Sequence, residues 1–387
     1  MLLNNYSGIR IFFAGDFCSK PSTSLITPSD ELKKVLDSCD CRVVNFEVPL
    51  KPDIDLPERV SERFFQNDDA PKFLQDLGFN LFTIASNHTF DWGDEGYWKT
   101  KAALGDVAFG AGTFDEAYKV KIIELKGIKI GFLALSYAVY TWTLQDTEKR
   151  EGLGCAYIND LKVNHVIIEA KKNVDYLFVL PHDGIEYIDA PMPETIARYR
   201  DFIDYGADGV FGTHPHCPQG WEVYKEKPIF YSLGNFFFNS KKDTLYRAYN
   251  RPHWYEGRCV ILNIENGKIT SEVINTCNVD NTSIEIDHTE DAISHNRYVC
   301  GLIFDKQSYN KYLTPIIKKK ALNDMRVMEE YFQPHTVMQS VSVLKKCLIQ
   351  RIKSGKSVSK NRSELLYVFQ NDLRKARVLR LLLGKLE

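Results

Sequence analysis

Apolar residues in this chain come in short β-rich runs, separated by segments with helical spacing. The runs at 9–14, 42–46, 81–85, 120–125, 129–135, 176–180, 209–211, 229–231, 258–264 and 268–273 predict strands. Apolar positions three and four apart predict helices over 29–38, 70–77, 96–103, 161–173 and 193–205, the fourth capped by Asp160. Lys126-Gly127 and Asn266-Gly267 sit between neighbouring strands, where tight hairpin turns belong. Alternating strands and helices imply βαβ units, and the hairpins add antiparallel strands. The expectation is an α/β domain with mixed sheets that ends near residue 280. Past about residue 290 the spacing turns helical, over 318–331, 337–353 and 362–383, with a loop at 354–360. The expected division is therefore 1–285 for the α/β domain and 286–387 for a helical C-terminal extension.

Charge sharpens that division. Residues 306–387 carry 18 Lys and Arg against 6 Asp and Glu, a net +12, so the rest of the chain holds −14 of the overall −2. An acidic body with a basic tail suggests contact between the tail and an anionic membrane or an acidic partner. The plainer alternative is a helical subdomain with solvated lysines. No nucleic-acid reading motif is present, so nucleic acid is not expected as a partner. No apolar run approaches the ~18 residues of a membrane span. The opening MLLNNYSGIRIFF lacks the pattern of a secretory leader, and nine scattered cysteines without a CxxC pair do not suggest a disulfide framework. The expected location is cytoplasmic, with membrane association through 306–387.

Candidate chemistry gathers where strands end, the place where α/β folds bind ligands. The first strand is followed by Asp16 and Cys18, the second by Glu47, and the third by Asn87, His88 and Asp91. The later strands are followed by His182, Asp183 and Glu186, by His214 and His216, and by Asn235. Any one of these reads equally as a cap, a turn or a satisfied polar residue. Together they place acids and imidazoles at corresponding ends, a costly arrangement unless the groups pair or bind a cation. Oxygen and nitrogen donors suit one or two divalent ions such as Mn, Fe, Zn or Mg. In GTHPHCPQG (212–220), Pro215 favours an extended His214, which would turn the His214 and His216 rings to one side. A local turn with histidines bonded to nearby backbone is the other reading.

The segments GDFC (15–18), NFEVP (45–49), ASNHTFDWG (85–93), PHDGIEY (181–187), GTHPHCPQG (212–220) and YSLGNFFF (231–238) resemble, in order, the motifs of the CapA family. That family is tied to bacterial capsule and poly-γ-glutamate synthesis and falls within the calcineurin-like metallophosphoesterase superfamily. The resemblance spans residues 9–238 and implies a four-layer α/β/β/α sandwich with metals at the strand ends. It implies Asp16 and His216 at a first metal, Asn87, His182 and His214 at a second, and Glu47 where a bridging aspartate stands. His88 would act as general acid or charge stabiliser, oriented by Asp91. Cys18 stands where the superfamily pattern Asp-x-His has histidine. Its thiol reads as a small buried apolar group in preference to a thiolate ligand. Asp183 replaces a frequent aromatic, which would alter the pocket or add charge near the metal. Glu186 would support His182 or touch substrate.

The activity implied is that of a metal-dependent hydrolase, with a metal-activated water attacking a phosphoester or γ-glutamyl amide of a polymer or phosphorylated sugar. The alternative is a non-catalytic accessory of a surface-polymer synthesis complex, working with other proteins of that pathway. Trp92, Tyr137, Tyr140, Trp142, Tyr187, Trp221 and Phe236 to Phe238 lie near the motif loops, as core or as a groove lining.

Overall fold

The first apolar run forms strand β1 (Ile9–Cys18), which crosses the middle of a nine-stranded sheet. A computed structural model describes residues 8–54, 63–137, 143–144, 151–239 and 253–332. The strands of its two large sheets are β2 (Cys41–Phe46), β3 (Leu81–Thr83), β4 (Lys121–Leu125), β5 (Ile128–Ser136), β6 (Tyr176–His182) and β7 (Gly209–Phe211), followed by β8 (Trp221–Tyr224), β9 (Lys227–Phe230), β10 (Asn235–Phe238), β11 (Glu256–Glu265), β12 (Lys268–Val279) and β13 (Ser283–Ile286). The helices used below are α1 (Asp30–Asp37), α2 (Ala70–Asp76), α3 (Gly93–Leu104), α4 (Leu161–Lys171), α5 (Pro193–Asp204), α6 (Glu290–Phe304) and α7 (Lys306–Phe332).

In the first sheet β13, β12, β11, β1, β2 and β3 lie in that order, with two-residue strands at both edges and β10 also beside β1. The second sheet runs β8, β9, β7, β6, β5, β4. Both are mixed: β1, β2 and β3 pair in parallel, whereas β11 and β12 form an antiparallel hairpin. That hairpin turns at Asn266 and Gly267 with φ of 50° and 77°, and the β4–β5 hairpin at Lys126 and Gly127 with 51° and 79°. Two consecutive positive φ values match the right-handed strand twist.

Neighbouring side chains of β1 show how the layers stack, because they point to opposite faces. Phe13 stacks on Phe211 of β7, with ring centroids 3.8 Å apart, and meets Phe132 and Phe178. Phe12 faces the other way, onto Phe79, and past the register irregularity between Phe13 and Asp16 so does Phe17, onto Phe73 of α2. On the second sheet α4 packs against β6, and α5 against β7 and β9. The order is helix, sheet, sheet, helix, the expected sandwich, with its core between the sheets.

Some elements differ from expectation. Strand β10 follows directly after Gly234, where only a strand-end loop was expected, and it pairs with β1 from Asp16 onward. There it takes over from β11, whose register with β1 ends at Phe13. The compact unit that holds the sandwich runs past residue 285 to Lys306 and includes α6, and a second unit begins at Gln307. Helix α7 spans the expected helix at 318–331 and carries Pro315 within it. The expected helices at 337–353 and 362–383 and the loop at 354–360 lie outside the described residues. Among the described residues no helix is long and apolar enough to cross a membrane.

Candidate metal centre

Asp16 is placed by the exchange of partners on β1. Its register neighbours are Asn45 of β2 and Asn235 of β10. Gly15 permits the close approach: a Cβ there would lie 2.0 Å from the Gly234 carbonyl oxygen, and Gly234 itself has φ of 66°. The Asp16 carboxylate is fully buried. It accepts from Asn45 Nδ2 at 2.7 Å and from the His214 backbone N–H at 3.0 Å. His182 Nδ1 and His216 Nδ1 stand 3.7 and 3.6 Å from it.

Glu47, just past β2, is as deeply buried, yet neither of its carboxylate oxygens has a hydrogen-bond partner. Its Oε1 lies 3.4 Å from His216 Nε2 and 3.9 Å from His182 Nε2. Asp16, Glu47 and His216 each bring a ligand atom within 4.8 Å of the others. Burial, then the charges of Asp16, Glu186 and Asp91, push the Glu47 carboxyl well above the usual range. Burial also raises Asp16, against the pull of His216 and its hydrogen bonds. Two buried carboxyls driven toward protonation, one of them unbonded, are a poor resting state for this chain alone. A divalent cation resolves that conflict.

The second group faces the same carboxylates. His182, at the end of β6, approaches Asn87 Oδ1 through Nε2 at 2.8 Å and Thr213 Oγ1 through Nδ1 at 3.0 Å. The Asn87 amide oxygen only accepts, so Nε2 donates to it, while Nδ1 accepts from the Thr213 hydroxyl and faces Asn45 Nδ2 at 3.2 Å. The His214 ring lies 4.7 Å from that of His182, and its Nδ1 is buried without a partner. Burial first, then the neighbouring imidazoles, hold His182 well below the usual histidine range. Burial, opposed by Glu186 and reinforced by His216 and His88, brings His214 to about 3. Both rings are therefore neutral at pH 7, the form that ligates a metal.

The expected extended His214-Pro215-His216 is not what the backbone does. His214 has φ of 99° and His216 of 55°, both in the left-handed region, and Tyr187 opposite them has 64°. Non-glycine residues there cost about 1–3 kcal/mol each. The two rings still reach one site, 6.0 Å apart, because the bend and not strand alternation turns them inward.

The remaining expected residues sort by position. His88 Nδ1 is 2.9 Å from Asp91 Oδ2, which also accepts from the Phe64 N–H. The His88 side chain is 18% exposed, against 1% for His182 and 5% for His216, so it stands at the mouth of the cluster. Asn235 Oδ1 receives His216 Nδ1 at 2.9 Å and leaves Nε2 toward Glu47. Burial raises the Glu186 carboxyl, but His214, His216 and His88 outweigh it and hold it below the usual range. Asp183 turns away: its Oδ2 accepts from Thr195 Oγ1 of α5 at 3.0 Å. Cys18 packs with Val48, Phe238 and Trp254, and burial pushes its thiol well up.

Sequence reasoning passed over Asn45 and Thr213, which hold Asp16 and His182. Both sit inside the quoted motifs, so the signal was adjacency to a named residue. It also passed over Trp254, whose ring lies 5.0 Å from that of His216. Of the aromatics, Tyr137 meets His214, and Tyr187 and Phe238 meet His216. Phe236 and Phe237 pack on Phe79 and Phe17, and Trp221 on Phe230. Trp92 bonds to the Phe64 carbonyl, and Tyr140 and Trp142 lie outside the described residues.

Known proteins can be set beside this geometry. The chain is 31% identical over 177 residues to the capsule biosynthesis protein CapA of Bacillus anthracis, covering 44% of this chain and 43% of that one. It is 31% identical over 204 residues to the PGA biosynthesis protein CapA of Bacillus subtilis, covering 50% and 52%. A probable polyglutamine synthesis accessory protein of Mycobacterium tuberculosis is 25% identical over 229 residues, covering 54% and 58%. The chain thus spans about half the length of the curated relatives it matches. Among solved structures, one described as a novel phosphatase of Mycoplasma pneumoniae covers 75% of this chain and 98% of its own, with 16% identity and a TM-score of 0.44. The family model described as "Bacterial capsule synthesis protein PGA_cap" matches residues 10–240, more than half of the 387, and the chain belongs to that family.

Proposed function

We propose that this chain is a metal-dependent hydrolase of bacterial capsule, polysaccharide or poly-γ-glutamate metabolism, cleaving a phosphoester or a γ-glutamyl amide. The observation that carries the reading is Glu47: a fully buried, unbonded carboxylate among Asp16, His182 and His216. Asp16, Glu47 and His216 would hold one divalent ion, and Asn87, His182 and His214 a second beside it. Ions bound there supply Lewis-acid polarisation of a substrate oxygen and lower the pKa of a water.

The chain's own residues do the rest. Asn235 holds the His216 Nδ1 proton and so keeps Nε2 as the ligand atom. Asp91 accepts from His88 Nδ1–H and fixes the ring with Nε2 toward the mouth of the cluster; as the imidazolium, His88 would give its Nε2 proton to the leaving oxygen. Lys20 lies 4.7 Å from the Phe64 ring, which itself contacts His88, and Lys51 lies 4.9 Å from the Trp92 ring. These cations favour an anionic substrate such as a phosphorylated sugar or an acidic polymer. The basic residues from 306 onward would suit an acidic partner of the synthesis machinery or an anionic membrane surface.

His88→Ala is the test. With metal content unchanged, hydrolysis of aryl phosphates or of γ-glutamyl substrates should fall by about 10²–10⁴-fold, the usual worth of a general acid. One observation favours a second reading, a non-catalytic accessory: Cys18, packed as an apolar group, takes the place of a ligand histidine. Metal-loaded wild type that is inert on both substrate types would decide for that role.

A further inference from the structure

His253 and Trp254 are adjacent, but they serve different clusters. Trp254 packs on His216, whereas His253 stacks on His295 of α6, ring centroids 3.6 Å apart and planes 10° apart. One carboxylate spans both rings: Glu256 Oε1 is 2.8 Å from His253 Nδ1, and its Oε2 is 2.9 Å from His295 Nδ1. An ionised carboxylate only accepts, so Nδ1 carries the proton in His253; His295 Nδ1 stands 2.9 Å from both the Glu256 oxygen and the donor Arg258 Nη2. Arg258 Nη2, 3.4 Å from the same Oε2, adds its charge to the Glu256 side of the cluster. The Nε2 atom of His253 is then left as a lone pair in the neutral ring. That of His295, a residue only 7% exposed, is buried and has no hydrogen-bond partner. Asp189, from the loop after β6, completes a group in which it, His253 and His295 each bring a ligand atom within 4.8 Å of the others.

We propose that Asp189, His253 and His295 form a second cation site, separate from the Glu47 cluster, for a zinc-like transition ion. Two imidazole nitrogens and one carboxylate oxygen are a zinc-type donor set. A carboxylate behind the ligating imidazoles, here Glu256, is the usual device for fixing their tautomer and raising their basicity. Two of the three donors lie beyond the family-matched segment, which ends at residue 240. An ion about 2.0–2.1 Å from each nitrogen must lie near both ring planes, so binding swings one ring out of the parallel stack. The site ties α6 to the loop after β6, and the inference does not depend on the hydrolase reading.

The test is zinc stoichiometry of the full chain after equilibrium dialysis, with cobalt substitution read by visible absorption. Wild type should hold one ion more per chain than Asp189→Ala and than His295→Gln. Glu47→Gln, which strikes the other cluster, should keep that ion and its cobalt spectrum. If His295→Gln does not fold, Asp189→Ala and His253→Ala carry the test at less buried positions. Equal stoichiometry in wild type and Asp189→Ala would overturn the proposal and leave the stacked pair as a purely hydrogen-bonded element. A Glu47→Gln chain with no bound ion would overturn it as well.

Discussion

Glu47 and Glu222 are both buried glutamates, yet their surroundings are opposite. Glu222, on β8, accepts from Arg200 Nε at 2.8 Å, from Arg200 Nη2 at 2.7 Å and from Tyr231 Oη at 2.6 Å. Burial alone would raise its pKa, but the bonds from Arg200 and Tyr231 win and hold it below the usual range. Glu47 has no such bond, and its nearest charges are other carboxylates. The fold satisfies one glutamate internally and leaves the other without a hydrogen-bond partner. Burial of a charge is thus no sign of function by itself; burial with no partner from the chain is the informative case.

The sharpest way to break this comparison is to remove each carboxylate. Glu222→Ala should destabilise the protein by about 2–3 kcal/mol in urea unfolding. That is less than a fully buried pair would cost, because the Arg200 side chain is 40% exposed. Glu47→Gln should do the reverse in ion-free protein, stabilising it by about 1–2 kcal/mol, because it removes the cost of either burying that charge or protonating it. A loss of stability in ion-free Glu47→Gln would end the claim that this carboxylate awaits a cation.

Asn235→Ala sharpens the contrast from the ligand side. It leaves every donor in place and frees only the His216 ring. Divalent-ion affinity, read by calorimetry, should weaken by about 10-fold, or ~1.4 kcal/mol. An unchanged affinity would mean that Asn235 has no positioning role.

The smallest effect, and the one with two opposite signs, is pH. Glu47, with a raised folded pKa, binds a proton in the ion-free native state at pH values where the unfolded chain does not. Its contribution to stability therefore falls as pH rises through that raised value, and its penalty vanishes as pH drops toward the ordinary value of about 4.3. The gain from Glu47→Gln should shrink on acidification. Glu222, with a lowered folded pKa, contributes fully above about 4.3 and loses that contribution only as pH falls through its lower native value. The cost of Glu222→Gln should persist to pH 4.3 and fade below it. Parallel slopes in the two difference curves would refute the distinction.

Much of this molecule is written locally. Strand β7 lies where period and composition put it, Asp160 caps α4 as expected through a bond to the Lys162 N–H, and both hairpins turn where Gly follows Lys126 and Asn266. The strand-end residues Asp16, Glu47, Asn87, His88, His182, His214 and His216 do gather at one end of the sandwich. Other features were not legible. Strand β10 hides behind Gly234 because its pairing with β1 exists only once β11 has given way. The left-handed His214 defies the local preference set by Pro215, and His214 and His216 are held there by bonds to Asp16 and Asn235 against about 1–3 kcal/mol of backbone strain each. Asp183 stood in a motif with the rest, but its carboxylate went to Thr195.

By itself the sequence determined where strands and helices form and which polar residues stand at their ends, because side-chain periodicity and turn preference act over a few residues. The tertiary structure alone decided which carboxylates are satisfied by the chain and which are not. It also decided that His253, His295 and Asp189 meet. Those outcomes depend on sheet register and on packing between segments far apart in the chain, and no local pattern records them.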